Sequence, residues 1–210
     1  MAVMGLSDSE LLAAWRDGDN GAGEELFDRH VDAVARFFEN KVRQGAEDLT
    51  QATFLRLLEG HHRLREGSAF RSFVFGIAHN VLREHLRQLA RGRKVDPEVE
   101  SMAELAPGPS TIVAEKQEHR LLLESLRRLP IASQIILELT YWERLPSHEV
   151  AEILDIAPPT ARRRLSKARQ QLNEAMRALA ESPEVLESTI QSLNGWAEEL
   201  RQQLGGPAKS

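Results

Sequence analysis

SHEVAEILDIAPPTARRRLSKARQQL, residues 147–172, decides the fold. Val150, Ile153 and Leu154 repeat at i, i+3 and i+4 on a short helix, Asp155 and Ile156 make a turn, and Pro158 and Pro159 open a second helix. Proline suits that position because the first helical N–H has no partner within the helix. At 100° per residue, Leu165, Ala168 and Leu172 fall within about 40° of Ala161, a narrow apolar stripe. Arg162, Arg163, Ser166, Lys167, Arg169 and Gln170 occupy the other side, with Arg164 at its edge. Two short helices joined by a tight turn, the second basic on its outer face, predict a helix-turn-helix whose second helix enters a major groove. Arginine there can bind guanine in a bidentate fashion while the remaining cations neutralise phosphates. A solvated basic face on an ordinary helical hairpin is the plainer alternative, and the preceding helix and turn count against it.

The five cations of residues 158–172 belong to a chain of 210 residues with a formal net charge of -5. Its charge is segregated: residues 1–28 hold seven acids against Arg16 alone, and residues 95–118 hold six against Lys116 alone. A second basic stretch, residues 83–94, carries Arg83, Arg87, Arg91, Arg93 and Lys94 against Glu84. The distribution therefore argues for nucleic acid although the sum does not. Cysteine is absent, which excludes disulfide frameworks, cysteine zinc sites and thiol nucleophiles and suits a reducing cytoplasm. The opening MAVMGLSDSELLAAW has no basic leader and no long apolar run, so a cytoplasmic chain without membrane insertion is expected.

Helical patterning runs almost throughout. Ser7 and Glu10 offer a capping box with Leu6 and Leu11 as its hydrophobic staple, so a first helix starts near Asp8. A second spans about 22–42, and a third, AEDLTQATFLRLLEG, turns Leu49, Phe54, Leu55 and Leu58 inward and stops at Gly60. GHHRLREGSA reads as a loop, and FRSFVFGIAHNVLREHLRQLARGR as one long helix. VDPEVESMAELAPGPS, with three prolines, a glycine and several acids, has linker chemistry. The expectation is an all-α chain: a helical domain at 1–94, an acidic proline-containing linker at 95–112, a second small helical domain with the helix-turn-helix at 113–178, and a C-terminal helical extension at 179–210. In that extension Leu186, Ile190, Leu193, Ala197, Leu200 and Leu204 follow a heptad-like stripe, either packed on the second domain or free for a regulatory contact.

The other basic helix sets Arg83, Arg87 and Arg91 within an arc of about 80°, with leucines on the far side. Just before them Phe70, Phe73 and Phe75 flank Arg71. Rings beside cations are what single-stranded nucleic acid requires, a ring for the base and an arginine for the phosphate. Phenylalanines at such spacing are equally the stuff of a helical core.

Together, AEDLTQATFLRLL, FRSFVFGIAHNVLREHLR, the acidic linker and SHEVAEILDIAPPTARRRLSKAR resemble, in their order, an extracytoplasmic-function (ECF, group IV) sigma factor of the sigma-70 family, over about residues 8–175. The resemblance implies a bacterial promoter-specificity subunit that binds core RNA polymerase and promoter DNA, first as duplex and then as melted single strand. Glu47, Asp48, Leu49, Gln51 and Phe54 match the polymerase-binding helix. Phe70, Arg71, Phe73, Asn80, Arg83, Arg87 and Arg91 match the segment for the minus-ten element, and residues 60–69 the loop that captures a flipped base. Thr160, Arg162, Arg163, Ser166, Lys167 and Arg169 match the helix that reads the minus-thirty-five element. The linker matches the segment that threads the polymerase active-site and RNA-exit region. An anti-sigma factor or other regulator is a further implied partner. Departures stand at Phe73, usually tryptophan, at Gly76 and His79, commonly arginine, and at Asp155, usually glycine. A stand-alone helix-turn-helix regulator is the competing expectation, and it leaves the third and fourth helices without a task. Catalysis is not expected: the seven histidines form no HExxH pattern, and there is no phosphate loop or nucleophile elbow. No cofactor or metal is expected.

Overall fold

The computed structural model describes residues 5–42, 44–64, 70–89, 96–97, 100–105 and 116–191, and among them every regular element is helical. The order is α1 (Asp8–Arg16), α2 (Asn20–Glu39), α3 (Ala46–Gly60), a 3₁₀ turn (His61–Arg63), α4 (Phe70–Leu89) and α5 (Met102–Leu105). After these come α6 (Gln117–Arg128), α7 (Ile131–Leu137), a π-helical turn (Glu138–Trp142), α8 (Ser147–Ile153), α9 (Pro158–Leu179) and α10 (Pro183–Gln191).

The capping box of α1 forms: Glu10 Oε2 accepts from the Ser7 backbone at 2.7 Å, and Ser7 Oγ accepts from the Glu10 backbone at 3.4 Å. Of the two staple residues, Leu11 is buried and Leu6 is half exposed. The second helix starts earlier than expected because Asp19 caps it, accepting from the Gly21 and Ala22 amides. Gly23 sits where a Cβ would lie 2.7 Å from the Trp15 ring, so only glycine lets α1 and α2 approach this closely. Trp15 in turn stacks on His61 at 4.0 Å, tying the end of α3 to α1. Leu26, Val34, Phe38, Val74, Phe75 and Leu82 fill the centre of this first unit.

In the second unit α6, α7 and α9 pack around Leu122, Leu126, Ile136, Leu139, Ala168 and Leu172. The acidic stretch before it is not open chain where it is described. Met102 is fully buried, Ser101 and Glu104 form their own capping box, and the carbonyls of Glu100 and Pro97 accept from the Ile131 and Ala132 amides. Those amides open α7 behind Pro130 and have no acceptor within the helix, which is why a passing strand of carbonyls docks there. In the tail, α10 packs on α6 and α9 with Thr189 buried, while the remainder of the heptad stripe, from Leu193 on, lies outside the described residues.

Candidate nucleic-acid and polymerase interfaces

On α9 the apolar stripe faces in: Ala161, Ala168 and Leu172 are buried and Leu165 is half-buried. Arg162, Arg163, Ser166, Lys167 and Arg169 are exposed and Thr160 is half-buried. The turn before it takes Asp155 through a left-handed conformation, φ 52°, a geometry that asparagine, aspartate and glycine adopt most readily. That turn lets Ile156 N–H reach the Ala151 carbonyl at 3.0 Å and sets α9 across the end of α8. At 22 residues, α9 is about 33 Å long, and among the described residues its basic face is exposed along one side.

On α3, Glu47, Asp48 and Gln51 are exposed, Leu49 is half-buried and Phe54 is 5% exposed. Leu55 and Leu58 correct the sequence expectation: they are 54% and 56% exposed rather than inward. Their place in the core is taken by Thr50 and Thr53, whose hydroxyls donate to the Ala46 and Leu49 carbonyls at 2.8 Å each. A threonine satisfied by its own helix behaves as a small apolar residue, and hydropathy periodicity does not register that. The displaced leucines, with Phe27 (42% exposed) and the rim of Phe54, line an apolar groove of about 430 Å³ between α2 and α3, bordered by Glu47 and Gln51. Nothing in the spacing marked Phe27; its ring meets Phe54 edge-on at 4.5 Å.

On α4 the expected residues divide. Phe70 and Phe75 are core, so Phe70 is corrected from a base-stacking candidate to a packing residue. Phe73 is half-buried, its ring beside Gly60; Asn80, Arg83 and Arg87 are exposed; Arg91 and residues 65–69 of the flipped-base loop lie outside the described residues. Arg71 pairs with Glu143, Ser72 donates to Glu149, and His79 hydrogen-bonds the backbone of Ile153, all three partners coming from the second unit. Burial, then the nearby Arg83, drives the His79 pKa down to about 4. Burial pushes the Glu143 carboxyl above its ordinary range, against the pull of Arg71.

Beside these contacts the end of α2 is locked into the second unit. Lys41 Nζ donates to the Phe37 carbonyl at 2.6 Å and pairs with Glu138, whose other oxygen accepts from Gln134 at 2.9 Å. Arg127 of α6 donates to the Asn40 carbonyl at 2.8 Å. Two cations thus meet the carbonyl end of α2, where the helix dipole favours them. Burial lowers the Lys41 pKa and Glu138 opposes the shift. The π-helical turn makes this possible. Residues five apart lie about 140° apart on an α-helix, but the i to i+5 bond from Glu143 N–H to the Glu138 carbonyl (3.0 Å) stacks them, so both acids face the first unit.

Among the described residues no helix is long and apolar enough to cross a membrane, and no cluster of acids and histidines could hold a metal ion.

Comparison with known proteins agrees with this geometry. The family description Sigma-70 region 2 matches residues 26–92, and Sigma-70, region 4, matches residues 119–172. RNA polymerase sigma factor CarQ of Myxococcus xanthus is 32% identical over 172 residues, covering 79% of this chain and 95% of that protein. An ECF RNA polymerase sigma-E factor of Haemophilus influenzae is 25% identical over 187 residues, covering 83% and 97%. In fold, the chain is similar to CnrH, solved in complex with the cytosolic domain of CnrY, with a TM-score of 0.59 at 21% identity over 82% of this chain and 99% of that one. It is also similar to the sigma factor RpoE of Bartonella quintana, solved with the anti-sigma factor NepR, with a TM-score of 0.55 at 20% identity over 77% and 99%. With both regions in order and a relative matched over nearly its whole length, the chain belongs to the extracytoplasmic-function RNA polymerase sigma factors of the sigma-70 family, binding core polymerase and directing promoter-specific initiation of transcription.

Proposed function

We propose a division of that work among the three surfaces. The unit at 1–94 binds polymerase and opens the minus-ten element, 95–112 is the linker, 113–178 reads the minus-thirty-five element, and 179–210 is the C-terminal extension, whose helix α10 braces the second unit. The observation that carries the reading is the row of exposed cations on α9 behind a left-handed turn, in the same chain as the apolar groove beside α3. Arg162, Arg163 and Arg169 read base edges and phosphates in duplex DNA, with Thr160, Ser166 and Lys167 fixing the register. Glu47, Asp48 and Gln51 form the polar rim of the clamp contact, and Leu49, Leu55, Leu58 and Phe27 its apolar centre, an arrangement of anchor and rim typical of binding hot spots. Phe54 supports this surface from beneath. Phe73, Arg71, Asn80, Arg83 and Arg87, continued by Arg91, track the melted strand. The protein works in the bacterial cytoplasm, as a group IV factor without catalytic chemistry of its own, and an anti-sigma factor, such as the one that accompanies RpoE in its co-crystal structure, covers it when it is idle.

The test is co-elution with sigma-free core polymerase on size exclusion. Wild-type chain co-elutes; Asp48→Ala with Leu55→Ser and Leu58→Ser does not, while Arg162→Ala with Arg163→Ala co-elutes yet fails to support promoter transcription. Assembly that survives the α3 changes moves the clamp contact elsewhere, and a wild-type chain that binds promoter duplex but never polymerase is a stand-alone regulator.

A further inference from the structure

Arg144 stands where an arginine seldom does. Its φ is 51°, in the left-handed region that a residue with a Cβ adopts at a cost, and among the described residues it shares that region only with Asp155 and two glycines. The two turns bracket α8, one ahead of Ser147 and one after Ile153. Aspartate tolerates such a turn better than arginine does, yet the Arg144 side chain is exposed, with no burial to hold it there. The π-helical turn just before it sorts its side chains. Glu138 and Glu143 face the first unit, whereas Tyr141 lies against α9, its ring centroid 6.0 Å from the Arg169 guanidinium. That ring is half-buried and Arg169 is exposed. A guanidinium held over a ring keeps the N–H groups of its rigid fork for an anion. Arg169 also lies about 16 Å along α9 from its first residue, farther than the roughly 12 Å width of a major groove. A helix that reads bases with its first turns therefore brings Arg169 to the wall of the groove, where the phosphates are.

We propose that Arg144 and Arg169, the latter positioned by the Tyr141 ring, form a seat for the phosphate backbone of the minus-thirty-five duplex, separate from the residues that read its bases. The proposal rests on the reading of α8 and α9 as the DNA-reading helix-turn-helix. In that motif the first helix crosses the backbone while the second enters the groove, so the turn that opens α8 is the part of the chain that meets phosphate. Arg144 follows Tyr141 by three residues, and the ring that holds Arg169 thus brings it to the same corner of the motif. The left-handed turn is then explained. Glycine would make it without cost but would carry no charge to the backbone, and strained residues persist where the side chain has a task. Tyr141 is a positioning residue, acting on DNA through Arg169. Phosphate contacts set register and carry no sequence information, so the seat adds affinity for any duplex, and Arg162 and Arg163 choose among them.

The test uses the full chain assembled with core polymerase. Its affinity is measured across a salt series for a fluorescent duplex carrying the cognate minus-thirty-five element and for the same duplex with that element scrambled. Arg144→Gly is expected to lower affinity for both duplexes about 5- to 10-fold at about 0.1 M salt and to make the salt slope shallower by about 0.9, the share of one phosphate contact. Its urea midpoint is expected to be no lower than that of wild type, because glycine relieves the turn. Arg144→Lys, which keeps a point charge for phosphate, retains the wild-type slope. Tyr141→Leu weakens binding, Tyr141→Phe does not, and Tyr141→Leu adds no loss to Arg169→Ala, as for residues that act as one. Arg162→Ala with Arg163→Ala is the control and must narrow the affinity gap between the two duplexes. An unchanged gap there overturns the helix-turn-helix reading itself. If the control behaves and Arg144→Gly leaves affinity and slope as they were, narrows the gap, or weakens binding only along with the urea midpoint, the seat is overturned and the reading stands. Additive losses for Tyr141→Leu and Arg169→Ala, or a loss in Tyr141→Phe as large as in Tyr141→Leu, overturn the positioning by the ring.

Discussion

α4 and α9 carry the two basic faces of this chain and meet opposite conditions. On α9, Arg162, Arg163 and Lys167 stand in solvent; on α4, only the later positions Asn80, Arg83 and Arg87 do, while Arg71 and His79 are engaged by the other unit. Periodicity finds a basic face equally well in both. Whether the face is free depends on where acids distant in sequence arrive, and here they arrive from the end of the π-helical turn (Glu143) and from α8 (Glu149). The contrast can be tested by loosening the covered helix and by stripping the open one.

The largest expected effect is at the fastening of the covered side. Lys41→Ala leaves Glu138 buried without its cation, a loss of about 3–5 kcal/mol in urea unfolding at pH 7. Lys41→Met with Glu138→Leu removes both charges, and most of that stability returns. A single-variant loss below about 1 kcal/mol would mean that Lys41 is hydrated in solution and the two units already apart.

Next is the open side. Arg162→Ala with Arg163→Ala removes two exposed side chains, so unfolding stability stays within about 0.5 kcal/mol of wild type. Transcription from the cognate promoter falls by about 10- to 100-fold, the equivalent of one good base contact at about 1–3 kcal/mol. Loss of stability in place of activity would make α9 as much a packing helix as α4.

The same contrast explains what the sequence made legible. The helix-turn-helix could be read because each of its devices is local: an i, i+3, i+4 stripe, a turn residue that tolerates positive φ, prolines at a helix start. The capping box at Ser7 was visible for the same reason. On α3 reading failed where a side chain's partner was its own backbone: Thr50 and Thr53 count as polar in any hydropathy pattern yet are interior, and Leu55 and Leu58 are displaced outward. The docked part of the linker depended on unpaired amides at Ile131 and Ala132, some 30 residues away, and the cover over α4 on contacts between residues 71 and 143 and between 72 and 149. Local chemistry specifies elements; the pairing of distant charges has no periodic signature.

A smaller effect separates the two helices by pH. The closed chain, its two units in contact, holds His79 neutral, with a pKa near 4 against an ordinary 6.5, amid Arg83 on its own helix, Lys41 beyond α2 and the Ile153 carbonyl of α8. Its contribution to closure is therefore complete above about pH 6.5 and is lost as pH falls toward 4. Between pH 6.5 and 5, wild type loses about 1.5 kcal/mol more stability than His79→Gln, at about 1.36 kcal/mol per pKa unit. The comparison with the variant is needed because Glu143, raised by burial, acts in the opposite sense, favouring closure as it takes up a proton. Identical pH profiles would place His79 in solvent, clear of the second unit.

The smallest effect sharpens the comparison from the side of α9. Asp155 holds φ 52° in the turn that aims the reading helix, and a residue with a Cβ is strained there where glycine is not. Asp155→Gly therefore relieves the turn but also loosens the unfolded chain, two terms of about 0.5–1 kcal/mol that oppose each other. A net gain of a few tenths of a kcal/mol, read as a rise in urea midpoint at constant slope, is expected, with promoter recognition unchanged. This turn follows α8, which packs on α4, so the variant must also leave the pH-profile difference between wild type and His79→Gln as it was. If closure weakens instead, the strain at Asp155 is what presses α8 against α4, and the open helix and the covered one are two ends of a single device.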